Sequence, residues 1–352
     1  GDVSRFKAGE FLASLVCLIP VQLGITRDNR FVSFYDGIND PEFEQSLLGA
    51  SAQHIASRLS LGHLESILGN LYSTADVKVV SSLGEQSTGK SFALNHLLDT
   101  LFEGAATRTT EGVWMSVVPS SGATVYVVLD FEGVQSVERS VQEDALLVLM
   151  NAAISNLVIY RNSFSLSREI RTLFGAFQAS AGILNPTANP ELFRGSLAVV
   201  IKDVMMSDRD EAAAEFYRRF QSIVATEQGG NFVSRLFGGK LAIVPWPGLQ
   251  DPAFYSEFGC LAELLNAAEV SHPPGGAFLR TLKTLMAQIQ SFDWTPIGAS
   301  VRKNRLAQLS EHLESALILG GVPSTVEPAV LEPLMNLDTD EPINEDHSQF
   351  SL

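Results

Sequence analysis

The 352 residues carry 40 acidic against 24 basic side chains, a formal charge of −16 with no basic run. This excludes a nucleic-acid backbone as partner, because binding one needs clustered counter-charge. With 45% hydrophobic residues the chain can bury a large core as one or two domains. Its two cysteines, Cys17 and Cys260, are too few for a disulfide framework or a zinc site and fit a reducing, cytoplasmic setting.

The chain opens on Gly1 rather than methionine, as expected of a piece of something longer. Residues 1–75 read as a mostly helical segment, with Phe11, Leu12, Leu15, Val16 and Leu18 on one apolar face and a second helical pattern from His54 to Leu71. The stretch from Phe11 to Ile25 is interrupted by Pro20 and Gln22 and is shorter than the roughly 20 apolar residues of a membrane span, so a buried helix is expected there. His54 and His63 lie in helical patterns without a second ligand at metal spacing.

From Val77 onward short apolar runs alternate with helical stretches: 77–80, 124–129, 156–160, 197–201 and 241–244. Continuous apolar runs of this length are what strands buried on both faces of a parallel sheet look like. A doubly wound, mostly parallel α/β domain is therefore expected over 76–270, flanked by helical segments. Ligands in that architecture bind at the carboxyl ends of the strands.

Three motifs fall at such ends and a fourth lies between the first two. Gly84-Glu85-Gln86-Ser87-Thr88-Gly89-Lys90-Ser91 fits the phosphate-binding pattern G-x-x-x-x-G-K-[ST] and is followed by a helical stretch beginning Ser91-Phe92. Its backbone N–H groups would surround a phosphate, Lys90 would lie against the β and γ oxygens, and the Ser91 hydroxyl would complete a Mg²⁺ shell. Asp130-Phe131-Glu132-Gly133 follows the second run as a D-x-x-G element, with Asp130 on the metal side and the Gly133 N–H toward the γ-phosphate. The polar loop Arg108-Thr109-Thr110-Glu111-Gly112 lies between them, where a first switch would sit. Lys202-Asp203 ends the fourth run. A carboxylate there can accept from guanine N1–H and the 2-amino group, while the Lys202 stem can cover the base.

Taken together, GEQSTGKS with FALNHL, TTEGVWMS, DFEG and IKD resemble the G domain of dynamin-like large GTPases of the atlastin, root-hair-defective and guanylate-binding-protein branch, over about residues 77–265. The resemblance implies a GTPase that dimerises across its nucleotide faces, often to act on membranes. Any membrane role would come through parts of the protein not present here. Carried over, Lys90 and Ser91 hold phosphate and Mg²⁺, Thr110 is the switch threonine, Asp130 and Gly133 form the second switch, and Asp203 reads guanine. Pro245-Trp246-Pro247-Gly248 begins the guanine cap.

One departure stands out: guanylate-binding proteins and atlastins have an arginine before Thr88, whereas this chain has Ser87. Arg108 is then the candidate for the catalytic charge, with Ser87, Thr109 and Thr110 placing the attacking water. The missing arginine leaves a second reading open, a slow or non-hydrolysing GTP-bound scaffold; an adenine-specific enzyme is a third. Beyond the G domain, 271–322 resembles the start of a helical stalk after a hinge at Ser271–Gly276, and 323–352 is an acidic, loosely ordered tail.

Overall fold

The computed structural model describes residues 8–103, 110–120, 122–134, 139–162, 177, 183, 186–224 and 232–319. Arg108, Thr109 and the acidic tail lie outside them. The chain divides into two compact units, Gly1–Arg302 and Lys303–Leu352. The second is helical over its described part.

The first unit is built on one eight-stranded sheet: β1 Val21–Arg27, β2 Arg30–Ser33, β3 Asp76–Gly84, β4 Val113–Pro119, β5 Thr124–Phe131, β6 Leu157–Asn162, β7 Ser196–Ile201 and β8 Leu241–Pro245. Their order is β2-β1-β4-β5-β3-β6-β7-β8. The pairs β5-β3, β3-β6, β6-β7 and β7-β8 are parallel, while β2, β1 and β4 run on from β5 as antiparallel neighbours. All five expected strands are present. Successive residues of each central strand enter different cores: Val79, Val127, Val158 and Val199 on one face, Val80, Val128, Ile159 and Val200 on the other. Period-two alternation with both faces covered is the reason these strands read as unbroken apolar runs.

The helices are α1 Ala8–Cys17, α2 Pro41–Ser46, α3 Ala52–Arg58, α4 His63–Ser66, α5 Lys90–Leu98, α6 Val141–Ile154, α7 Arg209–Val224, α8 Phe232–Phe237, α9 Glu257–Ala267, α10 Gly275–Ser291 and α11 Ile297–Leu319. One sheet face carries residues of α6, α8 and α10, the other residues of α5 and α9. Helix α6 is buried almost all round, from Glu143 to Ile154. An apolar run without amphipathic contrast is what such a helix requires. Its start is fixed by a capping box in which Ser140 accepts from the Glu143 N–H and Glu143 accepts from the Ser140 N–H.

The N-terminal segment differs from the helical expectation. Pro20 stops the first helix, and Val21–Arg27 continues as a strand paired with β4. The apolar face of α1 is not buried, Phe11 being 67% and Leu12 56% exposed. The Ser271–Gly276 stretch also differs from a hinge. His272 Nε2 lies 2.6 Å from the Ile154 carbonyl, and a Cβ on Gly275 would sit 2.3 Å from the Tyr72 carbonyl oxygen, so the stretch is packed down. Helix α10 follows with eleven buried residues, among them Phe278, Leu282 and Met286, and packs on α3 and β2 within the same unit.

Candidate functional site

Strand β3 lies between β5, reached after α5 and β4, and β6, reached through α6 on its other edge. The strand order therefore reverses at its carboxyl end, where open α/β sheets hold their ligands. The phosphate loop begins there. Gly84 has φ +141, and a Cβ would approach the Arg161 carbonyl oxygen to 2.3 Å, so β3 meets β6 too closely for a side chain. Gly89 at φ +79 turns the chain into α5, whose first residue is Lys90. Ser87, exposed, takes φ +57 without being glycine. Thr88 ties the loop internally, its hydroxyl donating to the Glu85 carbonyl at 2.9 Å.

Lys90 is buried and donates to the Glu85 carbonyl at 2.8 Å. Burial pushes its ammonium down from 10.5 to about 8, partly offset by the Asp130 carboxylate. Asp130 is wholly buried at the end of β5. Its Oδ1 accepts from the Ser82 hydroxyl at 2.7 Å, and its Oδ2 from Ser91 at 2.6 Å and Thr110 at 3.4 Å. The Ser91 and Thr110 hydroxyls are 3.3 Å apart. Burial raises the Asp130 carboxyl pKa, while these hydroxyls and Lys90 pull it back. Two hydroxyls and one carboxylate with no nitrogen or sulfur form a hard-oxygen donor set. That set fits Mg²⁺, which keeps several ligands from water and phosphate. Among the described residues no cluster of three His, Cys, Asp or Glu side chains offers an alternative metal site.

The second motif is stitched onto the first. Glu85 and Val134 form a parallel bridge, the Val134 N–H donates to the Gly84 carbonyl at 3.1 Å, and a Cβ on Gly133 would fall 2.7 Å from the Gln86 backbone. Gly112, two residues after Thr110, turns at φ +69 against β1, leaving 2.1 Å between a would-be Cβ and the Gly24 carbonyl oxygen. Trp114 and Met115, which end the TTEGVWMS stretch with Ser116, are strand residues: Trp114 pairs with Asp130 in register and Met115 is core.

At the β7 end, Asp203 is exposed with φ +59, and a Cβ on Gly248 would lie 3.8 Å from its Oδ1. Lys202 is half-buried. Within the 245–248 segment the Trp246 side chain is core: it is wholly buried and edge-on to Phe254 and Phe258, and its backbone N–H donates to the Ile201 carbonyl at 2.7 Å. Phe92 turns its ring to His96 and Phe254, so any contact it makes to phosphate is through its backbone.

The structure adds groups that sequence reasoning did not single out. Ser82, two residues before Gly84, holds Asp130. Arg161, at the end of β6 and 2% exposed, donates from Nε to the Thr88 carbonyl at 3.1 Å, lies 5.5 Å over the Trp246 ring and feels the Asp203 charge. It therefore sits between the phosphate loop and the turn at Asp203. A polar residue in an otherwise apolar strand was the available signal.

Comparison with known proteins gives the same reading. Residues 60–170 match the family model of the guanylate-binding protein N-terminal domain. A stretch of 158 residues is 28% identical to a protein SEY1 homolog of Cryptosporidium hominis, covering 39% of this chain and 19% of that protein. Others are 40% identical to protein SEY1 of Clavispora lusitaniae over 83 residues (20% and 10% covered) and 38% identical to a protein SEY1 homolog of Dictyostelium discoideum over 94 residues (24% and 10%). The chain thus matches a tenth to a fifth of the length of these curated relatives. Among solved structures, Era of Aquifex aeolicus bound to GDP and aluminium fluoride overlaps 55% of this chain and 58% of its own at 14% identity, with a TM-score of 0.37. Residues 60–170 are thus similar to the guanylate-binding-protein N-terminal domain and shorter stretches to SEY1 proteins, which places the chain with large GTPases of that type by similarity, and its phosphate loop, D-x-x-G element and Thr110 meet at one strand end.

Proposed function

We propose that this chain binds GTP with Mg²⁺ and hydrolyses it, and that nucleotide state sets the two switch segments and through them self-association. The observation that carries the reading is the meeting of three separate motifs on one buried carboxylate, with Ser91, Thr110 and Asp130 within 3.4 Å of one another. Ser91, Thr110 and Asp130 would hold the metal, and bound there Mg²⁺ neutralises charge on the β and γ oxygens. Lys90 supplies a second, desolvated positive charge, and phosphate oxygens replace the Glu85 carbonyl as its partner. The N–H of Gly133 reports the γ-phosphate, and because Gly133 is pressed on the Gln86 backbone, its position follows that of the phosphate loop. Asp203 selects guanine, since adenine would leave its carboxylate unpaired. Thr110, Thr109 and Ser87 place the water for in-line attack, with Arg108 as the candidate cation.

The test is phosphate release from GTP and from ATP with Mg²⁺ at several protein concentrations. Turnover of GTP alone that rises per molecule with concentration supports a dimerising GTPase. Tight GTP binding without release supports the scaffold reading, and equal turnover of ATP removes Asp203 as the base reader.

A further inference from the structure

A cation that the motif pattern does not contain lies directly behind the second switch. Arg139, whose side chain is 6% exposed, precedes α6 and reaches into the site from its far side. Its Nη1 is 2.7 Å from Glu132 Oε2 and its Nη2 is 3.3 Å from Asp144 Oδ1. Nη2 also donates to the Gly133 carbonyl. The same Glu132 oxygen accepts the Gly112 N–H at 2.8 Å, and the Glu132 N–H donates to the Gly112 carbonyl at 2.7 Å.

One guanidinium therefore joins three pieces. Through Glu132 it reaches Gly112, two residues from Thr110. Through the Gly133 carbonyl it holds one side of a peptide whose other side, the Val134 N–H, is fixed on the Gly84 carbonyl. Through Asp144 it anchors both to the first turn of α6. Its charge is also felt at Lys90, where it opposes protonation. A fork of rigid donors serves such a junction in a way that a lysine ammonium cannot.

Resting on the GTPase reading above, we propose that Arg139 is a positioning residue of hydrolysis. It locks the second-switch glycine against the phosphate loop and the end of the first switch against both, the alignment that phosphoryl transfer needs where the phosphate loop has Ser87 in place of arginine. Arg139 does this while paired with two carboxylates, so it acts on the reacting groups through Glu132 and Gly133.

The experiment compares wild type, Arg139→Gln, Arg139→Lys and Glu132→Gln in single-turnover GTP hydrolysis, and measures affinities for GDP and for a non-hydrolysable GTP analogue. Arg139→Gln is expected to slow hydrolysis a hundredfold or more with GDP affinity within about threefold of wild type, and to erase any preference for the triphosphate analogue over GDP. Arg139→Lys restores little. Glu132→Gln, which keeps the arginine and the shape, reproduces the loss of analogue preference and covers the case in which Arg139→Gln does not fold. Hydrolysis within threefold of wild type in Arg139→Gln, or in Glu132→Gln should the former not fold, overturns the proposal, as does GDP affinity falling in step with the rate. A wild-type protein that does not hydrolyse GTP overturns the GTPase reading first, whatever the variants do.

Discussion

Lys90 is a buried ammonium held at a cost to folding, and that cost is measurable. Its ammonium is depressed from 10.5 to about 8 by burial, even with Asp130 nearby. At about 1.4 kcal/mol per pH unit this amounts to about 3 kcal/mol working against the nucleotide-free fold at pH 7. Lys90→Met keeps the length of the stem and removes the charge, but gives up the 2.8 Å bond to the Glu85 carbonyl, worth about 1 to 1.5 kcal/mol. The expected net effect is a gain of about 1 to 2 kcal/mol, a rise of a few degrees in melting temperature for a unit of this size. The sign with pH follows from linkage. Between the folded value near 8 and the unfolded value near 10.5 the unfolded chain binds more protons, so wild-type stability rises with pH across that window and the advantage of Lys90→Met shrinks. Denaturant unfolding of both proteins at pH 7 and pH 9 without nucleotide reads this directly. Addition of GTP and Mg²⁺ should raise the melting temperature of wild type only. A variant less stable than wild type at pH 7, or a gap unchanged at pH 9, would show that the buried ammonium imposes no such cost.

Asp203→Asn should weaken GTP binding tenfold or more and reduce the preference for guanine over adenine nucleotides, measured by competition titration; unchanged discrimination would remove Asp203 from the base pocket. Gly112→Ala should destabilise the domain by more than about 2 kcal/mol in denaturant titration, since φ +69 strains an alanine and its Cβ would stand 2.1 Å from the Gly24 carbonyl oxygen. Arg161→Met keeps the stem over Trp246 but loses the donor to Thr88, so it should lower affinity for GDP and GTP together by about tenfold, the loss of one charge-assisted bond. A variant with nucleotide affinity unchanged in calorimetry would make Arg161 a core residue only.

The existence of the five parallel strands and the place of the phosphate loop were legible in the sequence because both are local. Valine-rich runs such as Val77–Val80 and Thr124–Leu129 carry their burial in their composition, and the glycines of 84–89 answer to backbone angles that no other residue takes easily. Ser91 and Asp130 could likewise be named as candidates in advance, since the chemistry of a metal-bound phosphate restricts which side chains can serve, while Thr110 was picked out only by the family resemblance; the structure brings the three side chains together. What the sequence did not yield is whatever depends on elements distant in the chain. Strand β1 reads like the end of an apolar helix, yet it is a strand between β2, its hairpin partner, and β4, some ninety residues later. The region after residue 270 reads as the start of a separate stalk, yet α10 packs on α3 and β2, because its apolar stripe finds its partner in the N-terminal segment. Arg139 and Arg161 look like ordinary solvated charges in a linear reading. Tertiary packing removes their water and surrounds them with carbonyls, carboxylates and an indole, and desolvation by groups brought from elsewhere in the chain is what makes two arginines parts of the site.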